Sequence, residues 1–332
     1  MQTDTHYMQQ ALRLGRFGLG RTAPNPSVGC VLVKHGVVVG TGFTQIGGRP
    51  HAEAEALAMA GTAAKDATAY VTLEPCAHTG QTPPCAQSLI DAGIARVCYA
   101  LDDPDPRVNG GGAAMLRAAG LEVESGLCAD EARRDQLGFL SSLLKNRPMV
   151  TLKLATSANG FMRTPQGESP WITGPQARLM GHYLRANHDA IITGGGTLRE
   201  DDPSLDCRLP GLAAASPVPV VMSNHNLPID CKLAGRGNLI VSDAAPAAVL
   251  SDLAERGLTR VLLECGPRLA AAFLAEDLVD ELAHFMAPHE LAMTGESDIS
   301  IMELAFDRFA CISDRQVGGD TYKHYIRTGD RL

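Results

Sequence analysis

The stretch PHAEAEAL, residues 50–57, decides how the first half of this chain is read. His51 and Glu53 stand two apart at the head of an alanine-rich run that reads as a helix from about residue 52 to 60. Upstream, SVGCVLVKHGVVVGTGF (residues 27–43) is two strands joined by a tight turn at His35-Gly36. Downstream, ATAYVTL (67–73), ARVCYAL (95–101) and LEVES (121–125) are strand-like. Between them PPCAQSLIDAG (83–93) and GGAAMLRAAG (111–120) read as helices with glycine near the C-terminal end. Strands alternating with helices predict a mainly three-layer α/β/α domain.

The alternation lapses at LLKNRPMV (143–150), where Pro148 follows three polar residues, and a second α/β series then begins. Its strands are expected at 149–156, 189–195, 217–223, 238–242, 260–266, 280–288 and 320–329, and its helices at 174–187, 244–257 and 267–277. Two α/β domains, 1–147 and 148–332, follow, as the length of 332 residues also suggests. The composition, 45% hydrophobic and 20% charged, is that of a globular protein with two cores. A net charge of -8 argues against a nucleic-acid partner, since phosphate contacts need lysine and arginine surfaces. The N-terminal residues lack the basic and apolar regions of a secretory signal, and no apolar run is long enough to span a bilayer. Nine cysteines without dense pairing point to a reducing cytoplasm.

About two dozen residues after Glu53 comes LEPCAHTGQTPPCAQSL (73–89), with Cys76 and Cys85. His51, Cys76 and Cys85 form a three-ligand set for one zinc per chain, with the fourth position left to water. Glu53 then stands outside the metal shell as a proton shuttle, the combination needed for hydrolytic deamination. A structural zinc with His78 as fourth ligand is the competing reading, and His78 fits a substrate-facing role better.

The His-x-Glu and Pro-Cys elements match the signature of zinc deaminases, except that eight residues rather than two separate the cysteines. This longer form, HAE…TLEPCAHTGQTPPC, resembles the deaminase domain of the bifunctional riboflavin-biosynthesis deaminase/reductase family. TAPNPSVGCVLV (22–33) supports the resemblance, with Asn25 between two prolines, suited to pairing with a pyrimidine edge. In the second half, LKLATSANGFM (152–162), the long segment 167–205 and VLLECGPRLAAAFL (261–274) resemble the family's reductase half. The resemblance covers nearly the whole chain. It implies a cytidine-deaminase-like first domain and a dihydrofolate-reductase-like second domain. No G-x-G-x-x-G follows a first strand, so a Rossmann fingerprint is absent. Helix starts at TGGGTLRED and ECGPRLA offer N–H groups to cofactor phosphates instead.

The resemblance further implies that NADPH contacts Ala155, Trp171, Thr197, Asp201, Ser223 and Gly266. It places the substrate, a pyrimidine ribose phosphate, against Lys153, Ser169, Arg185, Leu205, Arg208 and Glu264. Lys153 and Asp201 would bind sugar hydroxyls and pass a proton, while Arg185 and Arg208 would clamp a phosphate. The chain departs from the family pattern at Thr44, where histidine is usual, at Gln81, where lysine or arginine is usual, and at Asp105, where asparagine is frequent. Two potential cations at the deaminase mouth are thereby lost, and Arg49 is a candidate replacement. A homo-oligomer is compatible with the sequence. Three alternatives remain open here: a diverged paralogue acting on another pyrimidine, a nucleic-acid base deaminase with an unrelated C-terminal domain, and a binding protein with an inactive reductase half.

Overall fold

The computed structural model describes residues 3–79, 83–165, 169–300 and 306–329. The chain divides into two compact units, with the division between Lys145 and Asn146. The first unit opens with α1 (Asp4–Gly15), followed by the hairpin β1 (Gly29–Lys34) and β2 (Val37–Phe43). His35 and Gly36 both take positive φ, 51° and 78°, as a two-residue turn matched to the strand twist requires. Then come α2 (Ala52–Ala60), β3 (Thr68–Val71), α3 (Cys85–Asp91), β4 (Arg96–Tyr99), α4 (Gly111–Ala118) and β5 (Glu122–Ser125). Helices α5 (Ala129–Asp135) and α6 (Leu137–Lys145) close the unit.

Its sheet has the order β2-β1-β3-β4-β5, antiparallel up to β3 and parallel from β3 to β5. Helices cover both faces, and glycines show how closely. A Cβ on Gly29 of β1 would lie 1.9 Å from the Ala11 carbonyl of α1. On the opposite face of the hairpin, a Cβ on Gly40 or Gly42 would lie 2.2 Å from the Ala56 or Ala52 carbonyl of α2. The alanines of α2 and the glycines of β2 thus serve one purpose: they bring the helix backbone down onto the sheet, and with it His51 and Glu53.

The second unit begins with β6 (Met149–Thr156), α7 (Pro175–Ala186), β7 (Ala190–Gly194) and α8 (Gly195–Asp201). It continues with β8 (Val218–Met222), β9 (Ile240–Ser242), α9 (Pro246–Glu255), β10 (Arg260–Leu263), α10 (Pro267–Ala275) and β11 (Glu281–Met286). It ends in the hairpin β12 (Phe309–Val317) and β13 (Asp320–Arg327). The strand order is β12-β13-β11-β6-β10-β7-β8-β9. The pairs from β11 to β9 are parallel, and the two involving β13 are antiparallel. Central strands β6, β7 and β10 are buried almost throughout, as expected of a parallel sheet covered on both faces.

This unit starts two residues before the boundary read from the sequence. Arg147 forks the carboxylate of Asp280 at 2.7 and 2.8 Å, and Asp280 also accepts the Val150 N–H at 2.8 Å. Arg147 is therefore fastened to the second sheet. Among the described residues no helix is long and apolar enough to cross a membrane.

Candidate active sites

In the first unit three donors converge. His51 is the N-cap of α2, Cys85 opens α3, and Cys76 lies on the loop after β3. The Nδ1 of His51 is 3.3 Å from Cys85 Sγ and 3.8 Å from Cys76 Sγ, and the three ligand atoms lie within 4.8 Å of one another. Tetrahedral zinc with its usual N and S bond lengths requires donor separations of about 3.5–3.8 Å, so the set fits the metal. The backbone N–H of Cys85 donates to Cys76 Sγ at 3.3 Å. The Cys85 thiol, with His51 and that N–H, holds the Cys76 thiol down at about 4. The neighbouring Cys76 and burial push Cys85 up. Two sulfurs so close repel as thiolates, and a dication between them and the imidazole is their chemical complement.

Glu53 sits in the first turn of α2, only 4% exposed. Burial, and then the charge of Cys76, raise its carboxyl, while His51 works the other way. A carboxyl lifted in this way suits a group that both takes and returns a proton. Asn25 donates from Nδ2 to the Gly48 carbonyl at 2.9 Å, three residues before His51. That bond orients the amide beside the segment that carries the donor set.

Thr44 is 2% exposed, and its Oγ1 accepts the Val28 N–H at 2.9 Å. It is a buried backbone clamp. Gln81 lies outside the described residues. Asp105 is buried and accepts from the backbone N–H and the guanidinium of Arg107. Arg49 is half-buried, and its charge acts on His51.

One residue that sequence reasoning missed is Glu74, inside the quoted LEPC. Its buried carboxylate accepts the N–H groups of Gly110 and Ala113 at 3.0 Å each, tying the start of α4 to the loop that carries Cys76. A Cβ on Gly112 would lie 1.9 Å from the Pro75 carbonyl, so only glycine allows this contact. The adjacent Asp103 is also buried, and burial raises its carboxyl to about 6.

In the second unit the register aligns Glu264, one residue past β10, with Lys153 of β6 on one side and Thr193 of β7 on the other. Arg185, from α7, donates through Nε and Nη2 to the two Glu264 oxygens at 2.8 and 2.9 Å, and through Nη1 to the Asp206 carbonyl at 3.0 Å. Lys153 Nζ stands 3.9 Å from Glu264. Burial alone would raise Glu264, but Arg185 and Lys153 hold it at about 2. The fork of Arg185 is committed to Glu264, so this arginine positions that carboxylate as a fixed acceptor.

Leu205 is buried with a positive φ of 52°, at the bend that turns Asp206 toward Arg185. Arg208 is exposed, with Asp206 at 3.5 Å. Asp201 ends α8 at the surface.

Of the residues expected at the cofactor, Thr197, Ser223 and Gly266 come together. Gly266 is the N-cap of α10, and a Cβ there would lie 3.7 Å from Thr197 Oγ1. Gly195, at the start of α8, abuts Ser223, whose Oγ would be 2.4 Å from an added Cβ. Strands β7 and β10 are parallel neighbours, so these turns share the C-terminal edge of the sheet, where open α/β folds bind ligands. Ala155 lies on β6, two residues beyond Lys153. Trp171 is 56% exposed under the Arg178 guanidinium, 4.8 Å from its ring, and lines a cavity of about 530 Å³ with Ser169, Thr173, His289 and Asp320.

A zinc-type deaminase unit joined in one chain to a mixed-sheet reductase unit is the class that these two sites and sheets define. Residues 1–101 match the model of the cytidine and deoxycytidylate deaminase zinc-binding region, and residues 148–320 match that of the RibD C-terminal domain. The chain is 37% identical to the riboflavin biosynthesis protein RibD of Escherichia coli K12 over 363 residues, covering 97% of this chain and 99% of that one. Among solved structures it superposes on RibD of Acinetobacter baumannii with a TM-score of 0.87 at 37% identity, covering 98% and 99% of the two chains. The Thermotoga maritima diaminohydroxyphosphoribosylaminopyrimidine deaminase/5-amino-6-(5-phosphoribosylamino)uracil reductase gives a TM-score of 0.87 at 29% identity, covering 98% of each.

The chain belongs to the RibD family of riboflavin biosynthesis, and is a pyrimidine deaminase and reductase in one polypeptide. Its first unit has the cytidine-deaminase-like fold, and its second the dihydrofolate-reductase-like fold of the RibD C-terminal domain.

Proposed function

We propose that the first unit deaminates 2,5-diamino-6-ribosylamino-4(3H)-pyrimidinone 5′-phosphate and that the second unit then reduces its ribosyl group to ribityl with NADPH. The observation that carries the first step is the convergence of His51, Cys76 and Cys85 with Glu53 buried at the head of the same helix. His51, Cys76 and Cys85 would hold zinc, which would supply the Lewis acidity that makes water nucleophilic near neutral pH. Glu53 takes a proton from that water and delivers it to the leaving amino nitrogen, so that water enters and ammonia departs. Asn25 orients the pyrimidine through its amide.

In the second unit, Glu264 is held ionised by Arg185 and Lys153, and accepts hydrogen bonds from sugar hydroxyls. Lys153, 3.9 Å from that carboxylate, would give a proton to the ring oxygen of the sugar as its bond to C1′ breaks, C1′ taking the hydride that NADPH would supply. Arg208 meets the substrate phosphate from the surface. The N-terminus of α10 at Gly266, with Thr197 beside it and Ser223 nearby, suits the cofactor phosphates. Ala155 and Trp171 flank the nicotinamide end, and Asp201 the ribose.

The test is to incubate the purified chain with the diaminopyrimidine phosphate, with and without NADPH, and to identify the products by mass. Without NADPH the deaminated ribosyl compound is expected, and with it the deaminated ribityl compound. Recovery of unchanged pyrimidine in both arms refutes the assignment.

A further inference from the structure

The loop between β4 and α4 carries DPDPR, residues 103–107, and it sits on the metal-donor loop. Glu74 holds its far end through Gly110 and Ala113, Gly112 packs on the Pro75 carbonyl, and a Cβ on Gly111 would be 3.2 Å from that of Ala77. Asp105 is held against the same loop through Asp103, whose backbone N–H lies 3.5 Å from Glu74 Oε2 and whose Oδ1 accepts the Asp105 N–H at 2.9 Å. His78 Nδ1 is itself buried and has no partner among the described residues.

Within this loop Asp105 is 5% exposed and Arg107 has a side chain 69% exposed. The Asp105 carboxylate accepts the Arg107 backbone N–H at 2.9 Å, its Nε at 2.9 and 3.0 Å, and its Nη2. The guanidinium is therefore fixed from its inner edge, and Nη1 has no partner among the described residues. A solvated surface arginine gains little from one exposed ion pair and stays mobile. Here the carboxylate is buried and locked by its own backbone, because the Asp105 N–H donates to Asp103 Oδ1 at 2.9 Å. The result is a guanidinium held along one edge and exposed to solvent, on the loop that packs against the metal-donor loop.

Glu74, Asp103 and Asp105 are three buried carboxyl groups on and beside this loop, linked through the Asp103 and Asp105 N–H groups. A phosphate approaching this loop therefore needs a cation to meet it. Thr44 offers it no charge and is occupied with Val28. A planar guanidinium with a free edge is the side chain best matched to phosphate oxygens.

We propose that Arg107, held by Asp105, anchors the phosphate of the deaminase substrate and sets the preference for the phosphorylated pyrimidine. Asp105 is a positioning residue that acts through Arg107. The proposal rests on the deaminase reading above.

The test uses the zinc-loaded full-length chain without NADPH, so that only ammonia release is read. kcat/KM is measured for the phosphorylated and the dephosphorylated pyrimidine. Arg107→Ala is expected to lower the phosphorylated-to-dephosphorylated ratio by about ten- to a hundredfold, the range for a lost hydrogen bond to a charged group. Arg107→Lys should recover part of it, and Asp105→Asn, which frees the guanidinium, should lose part of it. A ratio unmoved by Arg107→Ala overturns the anchor, as does one that falls in Arg49→Ala alone. Failure of the unmodified chain to deaminate either compound sinks the deaminase reading itself, a result separable from an indifferent Arg107.

Discussion

Two of the residues that define the deaminase site serve different tasks, and substitution separates them. Glu53 is beside the donors without being one of them. Glu53→Gln keeps size and burial but removes the proton acceptor. Zinc content measured by atomic emission should stay at one per chain, while deamination falls by about 10²–10⁴-fold. Cys85→Ser should lose both metal and deamination together. An active Glu53→Gln chain would remove Glu53 from the proton path.

In the second unit the equivalent test is one of pH. Glu264 has its carboxyl held at about 2, below an ordinary value of 4.5. A depressed carboxyl stabilises the fold fully above its unfolded pKa, and that stabilisation disappears as pH falls through the folded value. Arg185→Ala removes the fork. The melting-temperature gap between the parent chain and this variant should therefore be widest above 4.5 and close as the pH approaches 2. A gap constant over that window would mean that Arg185 acts through packing alone.

At the scale of the element, the deaminase site depends on how low α2 lies on the hairpin. Gly42→Ala puts a methyl group 2.2 Å from the Ala52 carbonyl, immediately after His51 and before Glu53. The helix must lift. Overpacking of this kind costs about 1–3 kcal/mol. The expected outcome is a lower melting temperature for the first unit and weaker zinc retention against a chelator, with the reductase activity retained. A variant with unaltered zinc affinity would show that the hairpin can yield without moving His51.

The same elements show what could be read from the sequence. The strands and helices from 28 to 125 were legible because each is an apolar run bounded by glycine or a turn. Strand β12 was not, since eight of its nine residues are not buried and contribute no alternation. Nor was α5, a seven-residue helix of sequence ADEARRD with Ala132 as its buried residue. Helix α1 lies outside the elements read from the sequence, although Tyr7, Met8, Ala11, Leu12 and Gly15 form a buried stripe with helical spacing. The metal donors were legible from spacing and chemistry. The Asp105–Arg107 fork and the caps supplied by Glu74 were not, because each exists only once the β4–α4 loop folds back on residues 74–78. Most of the second site came from resemblance, since Lys153, Glu264 and Arg185 lie on three elements that only the strand register aligns.

For the whole molecule, the division into units has a consequence at residue 147. Polarity and proline content draw the boundary at Pro148, yet Arg147 pairs with Asp280, which is 3% exposed. A fragment starting at residue 148 takes the guanidinium away from that buried carboxylate, which keeps the N–H of Val150. Breaking a buried pair by removing one member costs about 3–5 kcal/mol, a large part of the margin of a typical domain. A fragment of residues 146–332 keeps the pair. The expected result is that the longer fragment unfolds in urea at a clearly higher midpoint than residues 148–332. The full-length Arg147→Ala chain should lose a similar amount in its second unit only. Equal midpoints for the two fragments would show that Asp280 finds another partner, and that the junction tolerates a cut on either side of Arg147.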